Sequence, residues 1–358
     1  MKSGKVPVNV LKRSVLRQLK NKRSEIANSA GLGADCAIFQ PVSGGRMATC
    51  VQEGVVELQC ENDLAEAQRE DLSVMPMRRI FLKCANNLAT AGAEPVAAEL
   101  VIFLPETVEE PELKALMAEA EATAEELNIQ IIGGQTRVSS AVRQPIATVT
   151  GYGIIKDNAT EEDADSGRTA AKKRKTALNQ RLAEQDIIIT KWIGLEGTAD
   201  LAARNQEALL TRYPAYLVEE AAAFDRYYSI LPEAATAVKS GGCTMHDASE
   251  GGIFAGLWEM AEGAGVGLTI DMKKLPLRQE TVEVCEYCNV NPYELRSGGS
   301  LIIASPEGTA VVEALAAEGI PATIVGRFTD SNDRLILNED EVRYMDRPQR
   351  DEIYKEAE

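Results

Sequence analysis

The chain has 358 residues, more than one hydrophobic core usually organises, so two domains are expected. Apolar residues make up 45% and charged residues 26%, an ordinary globular balance, and aromatics at 5% leave the cores to Ala, Val, Ile and Leu. A formal charge of −17 excludes the usual nucleic-acid partner, whose phosphates call for clustered Lys and Arg.

The basic stretch Lys12 to Arg23 contains no signal-peptide core, and no run approaches the roughly 18 to 20 apolar residues of a membrane span. Seven cysteines scattered from Cys36 to Cys288 do not form the pattern of a secreted disulfide framework, so a reducing cytoplasm and no membrane are expected. Strands are predicted at Met47 to Val51 and Gly54 to Leu58, followed by a helix from Met77 to Ala91 and a strand from Ala97 to Leu104. Leu113, Leu116, Met117, Ala120, Ala124 and Leu127 recur at steps of three and four, one face of a helix. A strand at Ile129 to Ile132 then ends in Gly133-Gly134, and Ala147 to Ile155 is another.

Between Asp157 and Asp186 the acidic cluster Glu161 to Asp165 gives way to the basic run Lys172 to Lys175, with no apolar period. That composition predicts a solvated linker. The expected boundaries are therefore a first domain at 1–156, a linker at 157–185, a second domain at 186–346 and a polar tail at 347–358. In the second domain, strands are predicted at Asp186 to Thr190, Val266 to Asp271, Ser300 to Ala304 and Ala322 to Arg327. Helices are predicted at Thr198 to Leu210, Leu217 to Tyr228, Pro232 to Lys239, Glu280 to Cys288 and Thr309 to Glu318, with a further helix running from a Gly251-Gly252 turn to Glu262. Both halves mix helices and strands in α+β fashion, and neither carries a GxxxxGK[ST] or GxGxxG phosphate fingerprint.

Four motifs stand in order along the chain: Gly33-Ala-Asp35-Cys-Ala37, Asn86-Asn87-Leu-Ala-Thr-Ala-Gly92-Ala-Glu-Pro95, Gly133-Gly134-Gln135-Thr136, and Met245-His246-Asp247-Ala-Ser-Glu250-Gly251-Gly252. Together they resemble the aminoimidazole ribonucleotide (AIR) synthetase superfamily. Gly4-Lys5, Gly263 to Gly267, Asn291 to Gly298 and Val325 to Phe328 are similar to its hydrogenase-maturation branch. The resemblance implies a two-domain α+β fold with an N-terminal domain whose strands join those of a second subunit in a dimeric β-barrel, and a C-terminal α/β domain. It implies ATP and Mg2+ as cofactors, a homodimer, and a small-molecule substrate whose acceptor is in some cases presented by a partner protein.

The same resemblance assigns roles to residues. Asp35 and Glu53 are the implied metal ligands, because magnesium prefers hard oxygen donors shared with phosphates; by residue type alone, Asp35 reads as an Asp in a glycine-rich turn, and Glu53 equally as a solvent-facing residue at a strand turn. Lys5, Gly33, Asn87, Gly133, Gly134, Gln135 and Thr136 are implied to bind the nucleotide. Asn87 and Gln135 depart from the family pattern, in which many members carry acids, so charge is missing there. His246, the only histidine, is with Asp247 and Glu250 the implied catalytic group. Asp247 and Glu250 also have the spacing of a capping box, and the backbone N–H groups of Gly251 and Gly252 at a helix start are expected to face a phosphate.

Cys285 and Cys288 make a lone CxxC that does not complete a zinc site and is expected to be helix core. Hydrogenase-maturation members end in a cysteine that carries a carbamoyl group, whereas this sequence ends Tyr354-Lys-Glu-Ala-Glu358 and its last cysteine is Cys288, so that thiol-tail reaction is not expected. The implied activity is ATP-dependent activation of an amide or phosphate transfer to a small molecule. Two other readings stay open, a non-catalytic nucleotide-binding scaffold and a thiamine-monophosphate-type kinase.

Overall fold

The computed structural model describes residues 4–5, 10–23, 25–28, 38–39, 45–56, 58, 74–156, 182–241, 244–346 and 350–357. The chain divides into two compact units, Met1–Asn158 and Ala159–Glu358. Gly33, Asp35, the basic run 172–175 and most of the expected linker lie outside the described residues. Among those that are described, no helix is long and apolar enough to cross a membrane.

The first unit contains strands β1 (Gly4–Lys5), β2 (Ile26–Asn28), β3 (Ile38–Phe39), β4 (Gly45–Val56), β5 (Val74–Met75), β6 (Glu94–Leu104), β7 (Gln130–Val138) and β8 (Ile146–Lys156), with helices α1 (Met77–Thr90) and α2 (Glu110–Glu126). Six strands form one sheet in the order β1-β7-β6-β8-β4-β5, while β2 and β3 pair separately. Among the described residues of one chain this sheet is open and does not close into a barrel.

Side chains alternate between the two faces of a strand; among the described residues helices cover one face, and on the other only the end around Ile154, packed against Ile26, is buried. Ala147, Val149, Leu100 and Ile102 point toward the helices and are buried. Ile80, Phe81 and Leu88 of α1 pack on that side fully shielded, each worth about 1.5–3 kcal/mol of burial. On the other face Met47 and Val51 remain 53% and 57% exposed.

Two expected breaks do not occur. Met47–Val51 and Gly54–Leu58 are predicted as separate strands, yet β4 runs unbroken through Gly54, because a β-carbon there would come within 3.0 Å of Met75 Sδ and 3.1 Å of Ile80 Cδ1. The glycine makes room for the helix entry and does not turn the chain. Likewise β7 continues through Gly133-Gly134 to Val138, past a bulge where Ala98 pairs with Ile131 and Glu99 with Gly133. α2 begins at Glu110, earlier than its apolar stripe, because Glu109 and Glu112 form a reciprocal capping box.

The second unit contains β9 (Asp186–Thr190), α3 (Leu195–Arg204), α4 (Gln206–Arg212), α5 (Ala215–Ala222), α6 (Leu231–Lys239), β10 (Thr244–Asp247), α7 (Gly252–Ala264), β11 (Gly267–Asp271), α8 (Gln279–Cys288), β12 (Leu301–Ser305), α9 (Gly308–Ala317), β13 (Ala322–Thr329), β14 (Arg334–Asn338) and β15 (Glu341–Tyr344). Its seven-stranded sheet has the order β10-β12-β9-β13-β11-β14-β15. Neighbours are antiparallel except β11 with β14.

The predicted helix Thr198–Leu210 is two helices meeting at Asn205, and Leu217–Tyr228 is α5 followed by a 3-10 turn at Phe224–Tyr227. The β14–β15 hairpin is not anticipated from periodicity, since β15 is exposed throughout. Residues 350–357 are more than a polar tail: Ile353 is fully buried and Glu352–Ala357 form a 3-10 turn.

At the end of β9, Lys191 is buried in the left-handed region, with φ of 51°. Its Nζ donates to Tyr227 O (2.8 Å) and Ser229 O (2.6 Å) and lies 2.6 Å from Glu233 Oε1. Burial lowers its pKa, and the adjacent Glu233 charge works against that shift. One ammonium thus ties β9 to the loop before α6. Removing one partner of such a pair strands the other in a poor solvent for charge. Lys191→Met should therefore cost about 3 kcal/mol or more in the urea unfolding of this unit. Glu233→Gln, whose amide oxygen still accepts from Nζ, should cost clearly less, and equal costs would show that charge is not what makes the site sensitive.

Candidate functional site

On the uncovered face of the first unit, strand register assembles a row. Glu53 pairs with Thr148, Thr148 with Val101, and Val101 with Gln135. Glu53 and Gln135 therefore share that face, three strand spacings or about 14 Å apart. Both are exposed. Arg137 follows on the same face, and β1 places Lys5 opposite it, so two cationic residue types meet at one edge of the row. Sequence reasoning passed over Arg137, which only the pairing of β1 with β7 singles out. Nearby, Tyr152 has its phenol pKa raised by burial first and then by Glu99, whose carboxylate accepts its hydrogen bond.

The glycines of this motif differ. Gly133 has nothing within 4 Å of where a β-carbon would stand, whereas a β-carbon on Gly134, at φ of 138°, would overlap the carbonyl oxygen of Leu100. Gly134 is thus explained by strand packing, and Gly133 leaves space. Thr136 is buried on the helix-covered side. Asn87 is half-buried on α1, where its carbonyl oxygen accepts from Thr90 Oγ1 at 2.8 Å. Since α1 covers the opposite face, one chain does not set Asn87 beside Gln135. Among the described residues no three His, Cys, Asp or Glu side chains converge as a metal site.

In the second unit three loops are laced together beyond the ends of β9, β10 and β12. Gly194 N donates to Ser297 Oγ (2.7 Å), Gly197 N to Arg296 O (2.9 Å), Ser297 N to Ser249 O (3.1 Å) and Ala248 N to Ser300 O (3.1 Å). His246 sits at the border of this junction on β10. Its Nδ1 is 2.7 Å from the Asp247 carbonyl oxygen, which can only accept, so the proton resides on Nδ1 and Nε2 faces Glu259 Oε2 at 3.4 Å. The Asp247 carboxylate stands 4.0 Å from Nδ1. Glu250 is exposed.

The helix start departs from expectation. α7 is preceded by Gly251 in the left-handed conformation, with φ of 78° and no side-chain cap of its own, so Asp247 and Glu250 do not form the capping box. Nor do the two glycine N–H groups point at open space. Gly251 N donates to Asp351 Oδ2 at 2.6 Å and Gly252 N to Ser249 O at 3.2 Å. A β-carbon on Gly252 would come 2.6 Å from Tyr293 O, which accounts for that glycine by packing alone.

Asp351 and Glu196 are buried charged residues that motif reading missed, and with the half-buried Asp200 they face Arg296, which lies in the Asn291 to Gly298 motif. Burial by itself would depress the Arg296 guanidinium, but Glu196, Asp200 and Asp351 more than offset it and leave its pKa raised. Burial in turn raises the Asp351 carboxyl above the usual carboxylate range, opposed by backbone N–H groups of Ile353, Gly251 and Arg296 and by the Arg296 charge. The available signal was an isolated apolar residue, Ile353, in an otherwise polar terminus.

Two mixed sheets, one with a bare face bearing a Gly-Gly-Gln-Thr strand and one with a serine- and glycine-laced loop junction, define a two-domain α+β protein of the AIR synthase type. The chain belongs to the AIR synthase related protein family: the N-terminal domain of that family matches residues 78–155 and the C-terminal domain residues 183–338. Among its relatives, carbamoyl dehydratase HypE of Rhodobacter capsulatus is 30% identical over 249 residues, 68% of this chain and 66% of that protein. HypE of Rhizobium leguminosarum bv. viciae is 26% identical over 250 residues, 67% of this chain and 64% of that protein. The match thus spans somewhat less than two thirds of each relative's length. Among solved structures, hydrogenase maturation protein HypE in complex with ATP superposes with a TM-score of 0.71 at 16% identity, over 98% of this chain and 97% of that one. Thiamine-monophosphate kinase from Stenotrophomonas maltophilia gives 0.63 at 18% identity, over 94% and 98%. HypE from a HypE–HypF complex gives 0.63 at 17% identity, over 86% and 92%.

The Asp351 contact makes a direct prediction. Asp351→Ala leaves Gly251 N–H and Arg296 without their buried acceptor, and should destabilise the second unit by about 1–3 kcal/mol in denaturant melts. Unchanged stability would mean that the C-terminal segment rests on this unit without holding it.

Proposed function

We propose that this protein is an ATP-dependent enzyme that activates an amide oxygen, or transfers phosphate to a small molecule. The observation that carries the reading is the uncovered row of the first unit. Lys5 and Arg137 oppose one another at its edge, Gly133 leaves space beside Gln135, and Glu53 closes the far end. Positive charge beside a glycine without a neighbour suits a polyphosphate, and an amide such as Gln135 can hydrogen-bond a phosphate or a sugar. The ATP complex of the HypE relative supports the choice of nucleotide.

Glu53 and Gln135 supply too little charge to hold magnesium by themselves. In this reading the ion is recruited with the nucleotide's phosphates, and Asp35 is its further proposed ligand. In the second unit, His246 with Asp247 and Glu250 is proposed to position the acceptor, Nε2 being the imidazole atom available to exchange a proton. Since a HypE relative has been solved in complex with HypF, an acceptor presented by a partner protein belongs to the same proposal.

Calorimetric titration with ATP, with and without magnesium, tests this. Arg137→Ala should weaken binding about tenfold or more in both conditions, and Asp35→Asn should remove the magnesium dependence only. Wild-type affinity in Arg137→Ala would sink the nucleotide assignment to this face. A non-catalytic scaffold is the second reading, favoured by the occupation of Gly251 N–H by Asp351 where a phosphate was expected. ATP binding without ADP release across a panel of carboxamides would select it.

We also propose a homodimer through the uncovered face, since Met47 and Val51 lie exposed on it. The wild type should sediment as a dimer at micromolar concentration, and Met47→Glu with Val51→Glu as a folded monomer. A wild-type monomer of intact circular dichroism would remove the barrel.

A further inference from the structure

Cys50 lies on the helix-covered side of β4, and Cys84 lies in α1 directly above it. Their Sγ atoms are 3.5 Å apart, and Cys50 Sγ is 3.3 Å from the carbonyl oxygen of Cys84, so strand and helix approach within one short side chain. The third member of the group is Gly151, the register partner of Cys50 on β8. A β-carbon on Gly151 would overlap Cys84 Sγ and stand 3.1 Å from Leu88 Cδ1, so this glycine reserves the volume that the sulfur fills. Cys84 is buried and Cys50 half-buried. Because β5 pairs with β4 only at Val55 and Val56, the outer edge of β4 alongside Cys50 carries no neighbouring strand among the described residues.

We propose that Cys50 and Cys84 form an oxidant-closed thiol pair, a modification site for hydroperoxides whose disulfide staples α1 to the sheet. The division of labour follows from burial. The hydrogen bond to Cys50, and then burial, push the Cys84 thiol well above the ordinary cysteine range, so the first nucleophile is the more accessible Cys50. Its thiolate attacks the peroxide, the O–O bond breaks, hydroxide leaves, and Cys50 becomes a sulfenic acid. Cys84 sulfur then attacks Cys50 sulfur. The S–O bond breaks, and the departing hydroxide takes the Cys84 proton as water. Two thiols and one hydrogen peroxide give one disulfide and two waters. Closing from 3.5 Å to the bonded distance of about 2.05 Å asks for side-chain rotation at two unbranched residues. Asn87 lies one helical turn beyond Cys84, so the staple restrains the turn that carries it.

The test uses the full chain exposed to a small molar excess of hydrogen peroxide, then alkylated and mapped without reduction. The expected result is a peptide linking Cys50 to Cys84, a protein two hydrogens lighter, reversal by dithiothreitol, and amide exchange over residues 84–90 slowed about tenfold or more. Cys84→Ser should instead accumulate a dimedone-reactive sulfenic acid at Cys50, and Cys50→Ser should give no link to Cys84. Should either variant fail to fold, the wild-type map alone decides. A link from Cys50 to a different cysteine, overoxidation of Cys50 without a link, or both thiols recovered alkylated would overturn the proposal.

Discussion

A β-sheet presents two faces, and apolar side chains on both of them have to leave water. In residues 1–158 the helices α1 and α2 cover one face, and the alternation of side chains along β4, β8 and the parts of β6 and β7 beyond their bulges decides what is left on the other. Leu100, Val149 and Ala147 go inward, while Met47, Val51, Glu53 and Gln135 go outward together. A one-residue slip would exchange the two sets. The same constraint that buries the core therefore gathers apolar residues suited to a partner sheet and polar residues suited to a nucleotide on a single surface. In the proposed reading, association and ligand binding are both properties of one register.

The second unit answers a different problem, that of keeping charge inside. Arg296 is buried among Glu196, Asp200 and Asp351, and its backbone carbonyl receives Gly197 N. Pairs of this kind add little net stability, because desolvation consumes most of the attraction, but they penalise any arrangement in which one partner is missing. Here the partners come from three separate stretches of chain. The arrangement thus fixes how the loops after β9, β10 and before β12 meet, and it includes residues close to the C-terminus. Lys191 and Glu233 do the same directly after β9.

Elements with a strong period were legible in the sequence. α2 shows its stripe at Leu113, Leu116, Met117, Ala120 and Ala124, all buried as the spacing implies, and the all-apolar Ile187-Ile-Ile189 is a central strand. What misled was glycine taken as punctuation. Gly54, Gly133 and Gly134 lie inside strands, two of them because another atom occupies the place of their β-carbon. The family was legible from four short motifs, since a motif needs no knowledge of packing. The surroundings of those motifs were not. Nothing local in Gly251-Gly252 announces that a carboxylate one hundred residues later accepts the Gly251 N–H, and nothing in Asn87 or Gln135 reveals that they stand on opposite faces of one sheet.

The contact between Gly298 and Glu196 carries a consequence for how this protein can change. A β-carbon at 298 would overlap the Glu196 carboxylate, and Glu196 is fully buried on α3. A side chain at 298 therefore requires the buried Glu196 carboxylate to move, whereas shortening 196 first opens the space. Mutational paths through this junction thus have a favoured direction: shortening position 196 first eases diversification at position 298. Sequences that carry a larger residue at 298 should be enriched in a replaced or shortened residue at 196.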